Sequence, residues 1–263
     1  MPNFTLVSME NERLILVTND DSVNAKGIHA LVEMAKQFGR VVVVAPDKPQ
    51  SGMGHAITIN HPLRLTPTKL FGKTEAFACS GTPVDCVKLA ISEVLHRKPD
   101  FIFSGINHGE NSSTNVLYSG TMSAAIEGAM EGISSIGFSL ADFSENADFE
   151  ATQFFGAKIV QQLIEQPISN SVCLNVNVPK LKIGEIQGIQ VCKQAHAYWA
   201  DRFERRKDQF GREYFWLSGE FADVDQRPDT DLQALKNGFV SVVPTHFDLT
   251  SYETLQQMNN WKI

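Results

Sequence analysis

The sequence has few cysteines and fewer basic than acidic residues. The first shortage argues against a zinc site, and the second argues against non-specific binding of nucleic acid. Its four cysteines form no CxxC pair and no cysteine–histidine spacing of the kind that binds zinc. Buried free thiols in a reducing compartment are the simplest interpretation. Lysine and arginine number 23 against 30 acidic residues, and the net charge of −7 argues against a non-specific nucleic-acid binder. An anionic substrate is still allowed, because one bound metal ion can reverse the charge locally.

Several signatures are missing as well. No apolar run reaches the ~18 residues that a membrane-spanning helix needs. The first residues show no basic segment followed by an apolar stretch and a small-residue cleavage site, so we expect a cytoplasmic protein with no membrane partner. The sequence also lacks GxGxxG after its first predicted strand, GxxxxGK[ST] and GxSxG. These absences remove the sequence basis for a dinucleotide fold, a P-loop or a nucleophile elbow.

Strand and helix patterns alternate along the first two thirds of the chain. Leu14–Thr18 is apolar or β-branched throughout, as in a strand buried on both faces, and apolar residues recur at helical spacing from Ile28 to Phe38. Val41–Pro46 is a second run of this kind and completes a βαβ unit. Phe101–Phe103, "SSIGFSL" and "SVCLNVNVP" continue the alternation. The pattern predicts a doubly wound, Rossmann-like, mostly parallel sheet over residues 1–180.

Shorter elements are predicted between these. "HAITI" and "EAFAC" are strand candidates in the loop-rich section after the second strand. Thr82 and Pro83 have the residue types of a helix N-cap and first helical position. "YSGTMSAAIEGAMEG" predicts a helix rich in small residues, and a further helix is predicted from about Ala147 to Glu165.

The pattern changes after about Pro179. "GIQVCKQ", "HAYWADRFERRKDQFGREYFWLSG" and "GFVSVVP" are typical of hairpin-forming strands, and short helices are predicted at Asp231–Asn237 and Ser251–Met258. We interpret residues 181–263 as a β-hairpin arm with short strands and a terminal helix, an oligomerisation extension rather than an independent domain. Some RNA-binding segments also mix basic and aromatic residues, but the acids interspersed here favour a solvated hairpin or a subunit contact.

Oxygen-bearing side chains follow three of the predicted strands. Asp20 and Asp21 follow the first strand, Ser51 lies in the loop after the second, and Asn107 follows the Phe101 strand. Ligands of open parallel sheets bind beyond the carboxyl ends of the strands, so these side chains should meet at one edge. Carboxylate, amide and hydroxyl oxygens select a hard divalent ion such as Mg²⁺ or Mn²⁺. The alternative is an ordinary turn in which one carboxylate caps the next helix.

A second candidate feature is the helix start at "SGT". Unpaired backbone N–H groups and the positive end of the helix dipole make such a terminus an anion site, and the Ser119 and Thr121 hydroxyls could add donors. Gly120 between them carries no side chain that would obstruct an anion. The alternative is a plain helix cap.

These motifs resemble those of one family, the SurE survival-protein nucleotidases. The resemblance rests on seven blocks in the family's order between about Leu14 and Pro244: "ILVTNDDSVNAKGI", "VVVVAPDKPQSGMGHAIT", "CSGTPVDCVKLA", "SGINHGEN", "YSGTMSAAIEG", "LNVNVP" and "TDLQALKNGFVSVVP". It implies a metal-dependent 5′/3′-nucleotidase that hydrolyses nucleoside monophosphates and, in some members, short polyphosphate. It also implies one Mg²⁺ or Mn²⁺ ion per subunit and assembly into homodimers or homotetramers through the arm.

The resemblance also assigns site residues. The metal ligands it implies are Asp20, Asp21, Ser51 and Asn107, and Asp20, Asp21 and Asn107 would serve catalysis through water activated by the ion. Independently of the resemblance, we expect the substrate phosphate near Asn111 and at the helix start of Ser119, Gly120 and Thr121. The chain departs from the family at Ser22, where glycine is usual and where positive φ would be easier for glycine.

Two other phosphate-handling classes share part of this pattern. A phospho-receiver-like signalling module also binds Mg²⁺ with an acidic pair after its first strand. It further needs a phosphoacceptor aspartate at the end of a middle strand, where this chain has Ser-Gly-Ile-Asn, and it is about half as long. A haloacid-dehalogenase-like phosphatase needs DxD after the first strand, which "NDDS" does not supply.

Overall fold

A nine-stranded sheet forms the centre of the fold in the computed structural model, which describes residues 12–168 and 171–261. Numbered along the chain, the strands are β1 Leu14–Thr18, β2 Arg40–Pro46, β3 Leu65–Pro67, β4 Glu75–Cys79, β5 Phe101–His108, β6 Ser134–Leu140, β7 Cys173–Val178, β8 Ile189–Val191, β9 Ala197–Lys207, β10 Glu213–Asp223 and β11 Val240–Thr245. The spatial order of the central sheet is β3-β4-β2-β1-β5-β6-β7-β11-β8, while β9 and β10 pair only with each other.

Helices cover both faces of this sheet. The α-helices of the described residues are α1 Lys26–Ala35, α2 Pro83–Leu89, α3 Gly120–Met130, α4 Glu150–Glu165, α5 Asp231–Lys236 and α6 Tyr252–Met258, of which α6 buries no residue. α1 packs with α4, and α2 packs with α3. In the part of the chain that the structure describes, no helix has the length and apolar character required to cross a bilayer.

The alternation of side chains along β1 explains the two layers. Ile15 and Val17 belong to the buried cluster that includes the apolar faces of α1 and α4. Leu14 and Leu16 belong to the cluster on the opposite face, which includes residues of α2 and α3. Burying each such side chain contributes about 1.5–3 kcal/mol, so a strand buried on both faces reads as an unbroken apolar run. The predicted doubly wound α/β fold is confirmed.

The sheet reverses its direction of growth at β1. β1 pairs in parallel with β2 on one side and with β5 on the other. Strands β2 and β4 extend the sheet one way, whereas β5, β6 and β7 extend it the other way. A crevice opens beyond the carboxyl ends of β1 and β5 at such a switch point, and ligands of this fold class bind there.

Some predictions about the last third of the chain are wrong. "GFVSVVP" does not form a hairpin: β11 runs antiparallel to β7, and β8 from "GIQVCKQ" runs parallel to β11, so both strands complete the central sheet. These pairings join strands that are distant in the sequence, because β11 covers the edge of β7 and β8 then covers the edge of β11. The hairpin arm consists of β9 and β10 alone, with Ala197 opposite Asp223 at its base. The division into residues 1–180 and 181–263 stays a prediction.

Two local predictions differ from the structure for identifiable reasons. "HAITI" is not a strand, because α2 binds its backbone: the Thr58 N–H donates to Asp85 Oδ1 (3.1 Å), and Thr82 Oγ1 donates to the Ala56 carbonyl (2.7 Å). The helix predicted from about Ala147 begins at Glu150, whose N–H donates to Asp148 Oδ1 (2.9 Å).

Candidate active site

The carboxylate of Asp20 lies directly against the first turn of α3. Its side chain is buried, with 4% of the residue exposed, and Thr121 Oγ1 donates to Asp20 Oδ1 at 2.5 Å. A Cβ at Gly120 would come within 2.6 Å of the Asp20 Cβ and 2.9 Å of Oδ2. The helix can therefore approach Asp20 this closely only with glycine at position 120. This packing gives Gly120 a role that the sequence pattern alone did not indicate.

Burial and the neighbouring carboxylate disfavour the charged form of Asp20. The pKa of Asp20 is raised from 3.8 to about 6, first by burial and then by the charge of Asp21, while the hydrogen bond from Thr121 opposes the change. A carboxylate desolvated beside a second carboxylate is unfavourable unless a cation compensates for it. The arrangement therefore favours a bound cation.

Asp21 is half-buried and contacts the end of β5. Both the backbone N–H and Nδ1 of His108 lie 3.3 Å from Asp21 Oδ2. The His108 ring packs edge-on against Phe149, with centroids 5.0 Å apart. No sequence motif indicates this contact, because His108 lies between the motif residues Asn107 and Asn111.

The backbone turn that follows Asp20 and Asp21 is stabilised by hydrogen bonds of Asn19 and Ser22. Asn19 Nδ2 donates to the Ser22 carbonyl at 2.9 Å, and the Ala25 N–H donates to the same oxygen at 3.1 Å. Ser22 has φ of +88°, in the left-handed region that favours glycine. The glycine that is usual in the resembling family fits this backbone conformation.

The loop that carries Ser51 is attached to the backbone of Asp20. The Gln50 N–H donates to the Asp20 carbonyl at 2.7 Å, and the Gly54 N–H donates to the Tyr118 carbonyl at 3.2 Å. Ser51 is exposed and follows the first of these contacts directly. The structure thus brings this loop to the Asp20 end of the sheet and to the start of α3.

Asn107 is half-buried near the end of β5, the strand next to β1. Its Nδ2 donates to the carbonyls of His108 (3.2 Å) and Gly109 (2.8 Å). These bonds use the amide nitrogen and orient the side chain. The amide oxygen is left as the atom with which Asn107 could bind a cation.

Asn111 is buried in a network that sequence reasoning missed. Its Nδ2 donates to Ser139 Oγ (2.9 Å), its N–H donates to Asn177 Oδ1 (2.7 Å), and its carbonyl accepts from Asn175 Nδ2 (2.8 Å). Asn177 Nδ2 in turn donates to Asn175 Oδ1 (2.9 Å). Two asparagines inside the buried strand "LNVNVP" were the available signal, because buried amides require hydrogen-bond partners.

The predicted phosphate hydroxyls are already engaged. Ser119 is the N-cap of α3, and its Oγ accepts from the Met122 N–H at 3.0 Å, as in an ordinary helix cap. The hydroxyl hydrogen of Thr121 is donated to Asp20. Of the two, only the Ser119 hydroxyl retains a hydrogen for a ligand, together with the free N–H groups that every helix start presents.

The donor set fits a hard divalent ion. The candidates are the Asp20 and Asp21 carboxylates, the Asn107 amide oxygen and the Ser51 hydroxyl, and such oxygens are the usual ligands of Mg²⁺ and Mn²⁺. The buried Asn19 Oδ1 has no hydrogen-bond partner among the described residues and lies next to Asp20 in the chain. Among the described residues, no three or more acidic, histidine or cysteine side chains are grouped so that they alone could hold a metal ion.

Comparisons with known proteins identify the family of the chain. Residues 15–201 match the family model described as "Survival protein SurE". A protein named 5′-nucleotidase SurE from Flavobacterium johnsoniae is 56% identical over 97% of this chain and 99% of its own length, and one from Bacteroides fragilis is 42% identical over 97% and 100%.

A solved structure is similar over the same span. The crystal structure of the SurE protein from Aquifex aeolicus matches with a TM-score of 0.80 and 39% identity, covering 94% of this chain and 98% of that one. Sequence and fold therefore agree over nearly the whole length, and the chain belongs to the SurE family.

Proposed function

We propose that the protein is a divalent-metal-dependent phosphomonoesterase that hydrolyses nucleoside 5′- and 3′-monophosphates to nucleoside and phosphate, with short polyphosphate as a further substrate. The observation that carries the proposal is the desolvated Asp20 carboxylate, beside Asp21 and against the α3 start at the switch point of the sheet. The relatives named 5′-nucleotidase SurE support the substrate class.

Four residues would hold one Mg²⁺ or Mn²⁺ ion. Asp20 and Asp21 would supply the charge, and Asn107 and Ser51 would supply neutral oxygens. The ion would lower the pKa of water and neutralise charge on the phosphoryl group. Thr121 would keep the Asp20 carboxylate in one orientation through its 2.5 Å hydrogen bond. The contacts of Asn107 Nδ2 with two carbonyls would keep its oxygen directed away from the backbone.

The phosphate would bind between the carboxylate pair and the start of α3. The Ser119 hydroxyl, the backbone N–H groups around Gly120 and the second amide hydrogen of Asn111 would be its donors. Asp20 occupies the same helix start, so an anion there is repelled by the carboxylate unless a cation is present. Substrate binding should therefore depend on the metal. The receiver-like alternative has no observation in its favour, because β5 ends in Ser104-Gly105-Ile106-Asn107-His108 and contains no aspartate to accept a phosphoryl group.

A phosphate-release panel tests the proposal. Metal-stripped protein is incubated with nucleoside 5′-monophosphates, nucleoside 3′-monophosphates and short polyphosphate, each with Mg²⁺, Mn²⁺ or EDTA. We expect release from the monophosphates with either metal and none with EDTA. Asp47→Asn, which alters an exposed carboxylate just after β2, is the control and should behave as wild type. Equal release with EDTA would exclude a metal-dependent mechanism.

We also propose that the protein is cytoplasmic and forms a homodimer or homotetramer. The exposed arm supports the assembly. An isolated two-stranded hairpin is marginally stable, and this one exposes many aromatic side chains that a partner subunit would cover. They are Tyr198, Trp199, Phe203, Phe210, Tyr214, Phe215 and Trp216. Light scattering at micromolar concentration should give two or four times the 29.1 kDa of one chain, and a monomer mass would count against this assembly.

A further inference from the structure

The loop that carries Ser51 has no regular structure of its own. We call residues 50–59 the Ser51 loop, and none of these residues belongs to a helix or strand. Its backbone groups are instead bound by neighbouring elements, at Gln50, Gly54, Ala56 and Thr58. Such a loop takes its position from those attachments, so each attachment influences where the Ser51 hydroxyl lies.

One attachment is made by a buried glutamate on α3. Glu127 Oε2 lies 2.9 Å from His55 Nε2, and its Oε1 is paired with the Lys88 ammonium of α2. The Glu127 side chain is only 3% exposed, whereas the His55 side chain is 35% exposed. Burying a carboxylate carries a desolvation cost that an apolar side chain at this position would avoid. A glutamate retained here despite that cost indicates a role beyond packing.

The same helix contacts both Asp20 and the loop. Gly120 and Thr121 in its first turn lie against Asp20, and Glu127 follows Gly120 by seven residues, about two turns or ~10 Å along the axis. The Gly54 N–H binds the Tyr118 carbonyl just before the helix, and His55 binds Glu127 farther along. Two consecutive loop residues are thus attached at two places, one just before α3 and one about two turns along it.

We propose that Glu127 is a positioning residue, which through His55 fixes the Ser51 loop relative to Asp20 and so completes the cation site. The part of the proposal that concerns the cation rests on the proposed function. The part that concerns the loop can be measured without metal or substrate.

Variants of the partners separate this role from a purely structural one. His55→Ala removes the loop attachment and leaves the Glu127–Lys88 pair intact. Lys88→Met removes the other partner of Glu127 without touching the loop, and it is the matched control. His55→Gln retains an amide that can donate to Glu127 and should restore part of the effect. Both altered side chains are partly exposed, so we expect all three proteins to fold.

The first readout is amide hydrogen exchange of the metal-free protein. In His55→Ala, peptides covering residues 50–58 should exchange faster than in wild type, while peptides from β1 and α3 should not change. Lys88→Met should match wild type, and His55→Gln should fall between. Unchanged exchange in residues 50–58 of His55→Ala would overturn the proposal.

The second readout is Mn²⁺ affinity, measured from the electron paramagnetic resonance signal of free Mn²⁺. Groups that orient metal ligands typically affect affinity 10–100-fold, so we expect His55→Ala to weaken binding about tenfold while Lys88→Met binds as wild type. Wild-type affinity in His55→Ala, or equal loss in Lys88→Met, would contradict the role in the cation site. If Asp20→Asn binds Mn²⁺ as tightly as wild type, the proposed function fails, and the exchange data still decide the loop claim.

Discussion

Replacing Asp20 by asparagine should change how the stability of the metal-free protein depends on pH. The folded-state pKa of Asp20 is raised to about 6 from 3.8, first by burial and then by the charge of Asp21. A raised carboxyl pKa means that the folded state holds its proton more tightly than the unfolded state does. The free energy of unfolding therefore falls as the pH rises from about 4 to above 6.

The size of this loss follows from the shift in pKa. One unit of pKa corresponds to about 1.4 kcal/mol, so a shift of roughly two units costs about 3 kcal/mol when Asp20 is fully ionised. Linkage gives a penalty of roughly 1 kcal/mol at pH 4.5 and roughly 3 kcal/mol at pH 7.5. The Asp20→Asn variant cannot ionise at this position. Its stability relative to wild type should therefore rise by about 2 kcal/mol between these two pH values.

Urea unfolding of EDTA-treated protein at pH 4.5 and 7.5 measures this difference. The two proteins can differ at any single pH for other reasons, such as lost bonds to the α3 backbone, so the change between the two pH values is the decisive quantity. Asp47→Asn controls for the loss of an exposed carboxylate. Adding Mn²⁺ at about 100 times its Kd should stabilise wild type by about 2.7 kcal/mol and leave Asp20→Asn unchanged.

A constant stability difference between wild type and Asp20→Asn across this pH range would show that the pKa of Asp20 is not raised by folding. It would mean that Asp20 is not desolvated in the folded protein, so that the electrostatic argument for a cation would lose its basis. Equal stabilisation of both proteins by Mn²⁺ would show that the ion binds elsewhere.

Three further predictions concern the same region. Ser22→Gly should raise the free energy of unfolding by roughly 1 kcal/mol, because glycine adopts φ of +88° without the penalty that serine carries. A fall in the melting temperature would mean that the contacts of the serine side chain stabilise the fold by more than the backbone penalty. Gly120→Ala should reduce Mn²⁺ binding and phosphate release together, whereas Gly184→Ala, whose Cβ would meet no atom within 4 Å, should retain both; a fully active Gly120→Ala would contradict the close packing. Asn107→Ala should lose more activity than Ser51→Ala, and raised Mn²⁺ should partly rescue the latter; identical Mn²⁺ titrations in wild type and both variants would exclude the two positions as ligands.

Much of the fold could be predicted because its determinants are local. Leu14–Thr18 is a strand with the predicted bounds, because a short run of apolar and β-branched residues is typical of a strand buried on both faces. The N-cap at Thr82 formed as its residue type indicated, with Asp85 completing a capping box. The convergence of the loops after β1, β2 and β5 followed from parallel topology alone.

The rest depended on partners far away in the sequence. β11 pairs antiparallel with β7 and in parallel with β8 instead of forming a hairpin, and an apolar pattern does not reveal such distant partners. The contact between His55 and Glu127 joins residues 72 positions apart, and Glu127 taken alone resembles a solvated acid on a helix. The donation of the Thr121 hydroxyl to Asp20 required both positions to be known in space.

Phosphate release from a nucleoside 5′-monophosphate, measured while Mn²⁺ is added back to metal-stripped protein, tests the central claim most directly. Wild type, Asp20→Asn and Asp21→Asn are compared, with circular dichroism confirming that all three are folded. We expect no release without metal, a saturable rise with Mn²⁺ in wild type, and no rise in either variant. Full release from wild type before any Mn²⁺ is added, or Mn²⁺-dependent release from both variants at the wild-type rate, would exclude a catalytic ion held by Asp20 and Asp21.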